Sequence, residues 1–190
     1  SIYELLVGFG TGFGNGLGIV AARAYGANNI EQLKKVVASS FVITVFVTIF
    51  IMIFGQLTLK PMLSFLGTPA EIIEEAYSYI WFIAIFSGVL FAYNLLSGLL
   101  RAIGDSFMPL VFLIVSSLLN IFFDILMIVK FNLGVMGTAV ATVVAQGISA
   151  LLCFFYILFK VKILIPGKKH FRAEQKLYRD LIGQGLSMAL

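Results

Sequence analysis

The chain has 190 residues, 61% of them hydrophobic and 12% charged, with a mean hydropathy of +1.05 and a formal net charge of +4. That composition lies far outside the range of soluble globular domains and identifies an integral membrane protein. The single cysteine, Cys153, sits in an apolar run, so disulfides and thiolate metal sites drop out and core packing is its expected role.

Uncharged or nearly uncharged runs recur at about 5–22, 36–59, 76–100, 106–129 and 132–159, and another begins at Leu181. Each complete run is near or above the ~20 residues that a spanning helix needs. The expected fold class is therefore all-α, a polytopic transmembrane helix bundle. Residue 1 is not Met and the chain stops inside an apolar segment, so it is read as a fragment of a longer protein. If the helices alternate across the membrane, one side receives Arg23, Lys34, Lys35, Arg101 and the seven Lys and Arg from Lys160 to Arg179, against Lys60 and Lys130 on the other. This asymmetry places the loops around 23–35, 101–105 and 160–180 in the cytoplasm. The basic residues set topology, and the expected partner is the lipid bilayer rather than nucleic acid.

In chain order, the first span carries Gly8, Gly10, Gly12, Gly14, Gly16 and Gly18, which form two four-residue ladders, 8-12-16 and 10-14-18, on roughly opposite sides of a helix. Small residues so spaced let neighbouring membrane helices approach closely, and a helix that bends during a conformational cycle is the alternative. Every gap is even, so no GxGxxG phosphate cradle exists. Gly26 is expected to cap this helix within AYGANN. The second span, rich in Val, Ile, Thr and Phe, is scaffold. An outer loop from Lys60 to Glu75 follows, whose acids Glu71, Glu74 and Glu75 suit a helix N-terminus better than a cation site. Tyr77, Tyr79 and Trp81 then occupy the position of an interfacial aromatic belt.

The third span ends in Tyr93, Asn94 and Ser97 and runs into GLLRAIGDSFMP, Gly98 to Pro109. Gly104 reads as a helix stop, Asp105 or Ser106 as the next cap, and Pro109 as a first-turn residue. Arg101 and Asp105 either pair across this turn or only pin it at the interface. The fourth span is long enough to cross a bilayer yet holds Ser116, Ser117, Asn120 and Asp124, read as one polar stripe. A carboxylate there costs ~2.5–3.5 kcal/mol on insertion scales, so Asp124 needs a partner. The fifth span has its own polar line, Thr138, Thr142, Gln146 and Ser149, and the short link at 130–134 favours antiparallel contact between the two stripes at similar depth. Threonine in a membrane helix also commonly bonds its own backbone, so Thr142 stays open between site and structure. The connection 160–180 is a solvated topology anchor or a lipid-headgroup contact, and His170 within it is expected to be exposed.

At GLLRAIGDSFMP, NIFFDILMI and GVMGTAVATVVAQ, and again at AARAYGANNIEQ and LYRDLIGQGLSM, the chain resembles the multidrug and toxic compound extrusion family of efflux antiporters. That family has twelve helices in two six-helix lobes. The resemblance implies that 1–160 holds the second to sixth helices of the first lobe, 161–180 the basic connection between lobes, and 181–190 the start of the seventh helix. In the DinF-like branch an Asn and an Asp one turn apart, with a Thr on the next helix, bind the coupling cation, which implies Asn120, Asp124 and Thr142 here. The family's first-helix Asp has no counterpart in this chain. An aromatic and an Asn on the preceding helix approach the substrate cleft, implying Tyr79 and Asn94. Gln146 joins the cleft on spacing alone.

The function expected is secondary efflux of cationic or amphipathic organic compounds by antiport with Na+ or H+ at the bacterial inner membrane, by a protein that is monomeric at full length. Desolvation of Asp124 favours a proton and a cluster of hard oxygens favours sodium, and the sequence permits both. No cofactor and no transition metal are expected. Intramembrane aspartyl catalysis needs two carboxylates in one site, and Glu4 lies near the end of another span, so an enzyme is not expected. A passive channel would need no counter-ion. A lipid-linked precursor flippase is the nearer alternative, although no span carries an internal Arg or Lys to hold phosphate.

Overall fold

A computed structural model describes residues 2–172 and 174–190, with side chains described at all of these except 2, 3, 80, 83 and 85. Helix α1 (Ile2–Gly26) is followed by α2 (Ile30–Phe65), α3 (Ala70–Ile85), α4 (Ser87–Ala102), α5 (Phe107–Ile125), α6 (Gly134–Lys160) and α7 (Gln175–Ala189). Four of these segments, 4–26, 30–65, 107–130 and 134–160, are individually long and apolar enough to cross a membrane. Large apolar side chains such as Phe46, Phe50, Leu118 and Phe159 point outward along them, as a lipid-facing surface requires.

The single third span expected at 76–100 is broken. Helix α3 ends at a Phe86 junction and α4 begins at Ser87, so each half, 16 residues and ~24 Å long, falls short of the bilayer core, while the two in series have the length to cross it. At the junction the Ser87 hydroxyl donates to the Ala84 carbonyl at 2.7 Å, satisfying a backbone group that the break would otherwise orphan. Gly88, next in line, lies so close to α2 that a Cβ there would sit 2.9 Å from the Thr48 methyl. Helix α2 in turn runs through Lys60 and Pro61, which the sequence placed in a loop, and Lys60 reaches back to Glu74 at 3.2 Å.

The glycine ladders of α1 divide between two neighbours. Gly10, Gly14 and Gly18 face α4, where a Cβ on Gly14 would lie 2.9 Å from the Asn94 carbonyl oxygen, and Gly12 and Gly16 press against the backbone of Met188 and Gln184 on α7. Close packing is the role the structure gives them. Gly26 remains inside α1, and the left-handed residue that ends the turn is Asn28, at φ +54°. Asn29 then caps α2 by accepting from the Gln32 amide at 3.0 Å.

The core lies toward the basic end of the bundle, where Leu17, Leu33, Leu99, Leu100, Cys153, Leu164 and Leu181 are all fully buried. Leu164 belongs to a connection that folds back rather than hanging free. His170 is only 3% exposed, contrary to the sequence expectation. Its Nδ1 accepts from the Gly167 amide at 2.7 Å and its Nε2 meets the Glu31 carboxylate at 2.9 Å, which ties the connection to α2. Helix α7 starts at Gln175, before the Leu181 expected from hydropathy, and Asp180 on it meets Arg23 at 3.4 Å.

Candidate functional site

Helix α5 is launched by Asp105, whose Oδ1 accepts from the Met108 amide at 3.1 Å, with Pro109 in the first turn and Gly104 at φ +89° ending the helix before it. Arg101 and Asp105 do not pair. Asp105 Oδ2 instead accepts from the Tyr156 hydroxyl at 2.9 Å, and Arg101 donates to Asn15 Oδ1 at 2.9 Å and to the Ser97 carbonyl at 3.3 Å. Each residue fastens a different helix to the same turn.

From that anchored start α5 delivers Asn120 and Asp124 opposite α6. The Asn120 amide donates to Thr142 Oγ1 at 3.3 Å, and Thr142 gives its own proton to the Thr138 carbonyl at 2.9 Å. The backbone bond expected of a membrane-helix threonine is present, and it leaves the Thr142 oxygen able to accept from Asn120. Two turns along α6, Ser149 is fully buried and donates to the Phe112 carbonyl at 3.4 Å, fixing the register of the two helices. Ser116 is buried, but Ser117 is exposed and bonds the Leu113 carbonyl of its own helix, so it leaves the polar stripe. Beyond Asp124 the helix widens into a π turn (Leu126–Lys130), closed by the Phe131 amide on the Leu126 carbonyl at 3.3 Å.

Asp124 Oδ1 is buried and has no hydrogen-bond partner among the described residues. A buried, unpartnered carboxylate oxygen is costly, and either a proton or a cation removes the cost. Asn120 lies one turn before Asp124 on α5 and bonds Thr142 of α6, whose own proton goes to the Thr138 carbonyl. The pair offers hard oxygens, the Thr142 hydroxyl and the Asn120 carbonyl, together with the second Asn120 amide proton as a remaining donor.

Gln146 carries the second orphan, a buried Oε1 without a partner. It stands between two cavities. One, of about 20 Å³, is lined by Thr142, Gln146, Ser87 and the Phe86 junction, and is of a size to hold one water. The other, of about 460 Å³, is walled by α1, α4, α5 and α6 and is polar along α4. Asn94 and Gln146 both line it, whereas Tyr79, half-buried on α3, lines neither cavity. The same wall holds Tyr93, Ser97 and Arg101, which the sequence reading left out of the cleft. The signal was available in the spacing, since Asn94, Ser97 and Arg101 fall at i, i+3 and i+7 on one helical face.

The sequence model of the MatE family matches residues 1–126. Over 185 residues the chain is 31% identical to "Probable multidrug resistance protein YoeA" of Bacillus subtilis (strain 168), covering 95% of this chain and 40% of that one. It is 22% identical over 184 residues to "Multidrug export protein MepA" of a Staphylococcus saprophyticus strain, covering 97% of this chain and 41% of that one. In fold it superposes on the inward-facing conformation of a multidrug resistance MATE family transporter of the MOP superfamily, with a TM-score of 0.91 at 22% identity over 99% of this chain and 43% of that structure. The chain thus spans about two-fifths of the length of the proteins it matches.

Proposed function

Because this chain belongs to the MatE family, a family of multi-pass membrane transporters rather than enzymes, we propose that it forms part of a secondary efflux antiporter for cationic or amphipathic organic compounds. In this reading Na+ or H+ binds at Asp124, with Asn120 and Thr142 as neighbours, in a bacterial plasma membrane. The observation that carries the proposal is the buried, unpartnered Asp124 Oδ1, one helical turn from the Asn120 that bonds Thr142. A group held in that condition has its affinity for a cation built in, and binding the cation removes the charge that the apolar surroundings resist. Coupling follows if the site binds its cation with different affinity in the two orientations of the transporter, because a ligand shifts states only by that difference.

The cavity beside Asn94 and Gln146 is the candidate substrate cleft, separated from the cation site by the one-water cavity at Thr142. The full-length protein in energised vesicles of an efflux-deficient bacterium is the test system. Ethidium efflux is measured with a sodium gradient and a proton gradient imposed separately. Efflux driven by one gradient supports antiport and names the ion, while absence of efflux under both, with the protein present in the membrane, rejects it. One observation favours the second reading, a lipid-linked precursor flippase: Arg101 reaches the cavity wall, where it is placed to meet phosphate.

A further inference from the structure

The cavity of about 460 Å³ has an unequal charge lining. Its lining combines apolar residues, among them Leu90, Leu110 and Leu113, with the polar row Asn94, Ser97 and Arg101 of α4. Among the described residues Arg101 is the only charged one in that lining, and no carboxylate belongs to it. The nearest candidate to neutralise it, Asp105, is already held by the Met108 amide and the Tyr156 hydroxyl and does not line the cavity. Asp124 does not line it either.

The guanidinium itself is half committed. Nε donates to the Ser97 carbonyl and one Nη2 proton to Asn15 Oδ1, which fixes the plane of the group. Both Nη1 protons and the second Nη2 proton have no partner among the described residues. An oriented arginine with donors to spare, in a cavity that also holds Leu90, Leu110 and Leu113, matches a ligand with an acidic group at one end and an apolar body at the other. The absence of basic residues inside the spans pointed instead to cationic compounds. Arg101 escapes that reasoning because it sits at the end of α4 and still reaches the cavity.

We propose that this cavity is a binding site for an amphipathic anion, with the acid group on Arg101 and the apolar body between Leu90, Leu110 and Leu113. This rests on the transport reading for its physiological meaning, since the anion is either the acid group of an exported compound or the headgroup of an anionic lipid. The two sources share the same chemistry at Arg101.

The test uses the full-length protein in phosphatidylcholine nanodiscs, titrated with dansylglycine and with its methyl ester, which differ in the charge and in one methyl group. The acid is expected to bind about tenfold more tightly than the ester, the order of one charge-assisted contact. Arg101→Lys is expected to keep most of that preference and Arg101→Gln to lose it. Because Arg101→Gln also breaks the bond to Asn15 and can fail to assemble, Thr11→Glu provides a second variant, placing a carboxylate in the same cavity, and it too is expected to abolish the preference. Equal binding of acid and ester by the native protein, or a preference that survives both Arg101→Gln and Thr11→Glu, overturns the site. Displacement of dansylglycine by phosphatidylglycerol in the disc assigns the site to a lipid headgroup, and export of dansylglycine from vesicles assigns it to cargo; both support an anion site. Ethidium efflux in the same preparation separates the two claims. Efflux without acid preference sinks the anion site alone, and acid preference without any efflux sinks the antiporter reading alone.

Discussion

Asn120 and Thr142, 22 positions apart in sequence, meet at 3.3 Å across the α5–α6 interface, and the Thr142 proton is spent on the Thr138 carbonyl. Thr142 Oγ1 therefore keeps one lone pair for a further donor or a cation, and Asp124, with its buried Oδ1, lies one turn along α5 from Asn120. Thr142→Val keeps the shape and removes the oxygen. It is expected to weaken cation-driven efflux by about tenfold, the order of one charge-assisted ligand contact, while Thr142→Ser retains it. Initial ethidium efflux rates against the driving cation concentration, at matched protein levels, check this.

Gln146 separates stability from function. Its Oε1 is buried without a partner, so the apolar near-isostere Gln146→Leu removes an unsatisfied group. The thermal midpoint of the purified protein is expected to stay level or rise, by an amount of order 1 kcal/mol in stability, while efflux falls. A lower midpoint with unchanged efflux would mean that Gln146 is held by a partner and serves packing alone.

The glycine ladders make a contrast within one helix. A Cβ on Gly16 runs into the Gln184 carbonyl of α7 and one on Gly14 into the Asn94 backbone, whereas a Cβ on Gly8 meets nothing within 4 Å. Gly14→Ala and Gly16→Ala are each expected to cost about 1–3 kcal/mol, as overpacking against backbone does, and Gly8→Ala close to nothing. Thermal unfolding of the three variants in one detergent is the measurement. Equal midpoints would show that α1 is not clamped between α4 and α7.

How much of this was legible beforehand differs by element. The spans were, because a bilayer demands length and apolarity and both are written in the residues. So was the meeting of Asn120 with Thr142, since a three-residue link leaves two helices little choice but to lie side by side. The break at Phe86 was not: the run 76–100 is uncharged throughout, and hydropathy carries no information about which carbonyl a serine such as Ser87 will satisfy. His170 was misread for a different reason. Its burial depends on Glu31, 139 residues away, and nothing local in KKHF distinguishes a pinned turn from a solvated one. The cavity wall lay between these cases. The spacing of Asn94, Ser97 and Arg101 was in view, but Arg101 had been assigned to the turn and not to the helix face it ends.

That pinned turn is itself testable. His170→Ala removes both the Gly167 and the Glu31 contacts. Limited trypsin digestion of the native protein should then cut at Lys168, Lys169 or Arg172 roughly fivefold faster, the factor corresponding to ~1 kcal/mol of local stability. An unchanged cleavage rate would place the stability of the connection in Leu164 and its neighbours instead.

The account stands or falls on Asp124. The most direct measurement is ethidium efflux from energised vesicles carrying the full-length protein or its Asp124→Asn variant, under a sodium gradient and under a proton gradient. The substitution keeps the side chain's size and removes its charge. Gradient-driven efflux is predicted to disappear in the variant while the amount of protein in the membrane is unchanged. Efflux by Asp124→Asn at the native rate would contradict the assignment of the coupling cation to this carboxylate.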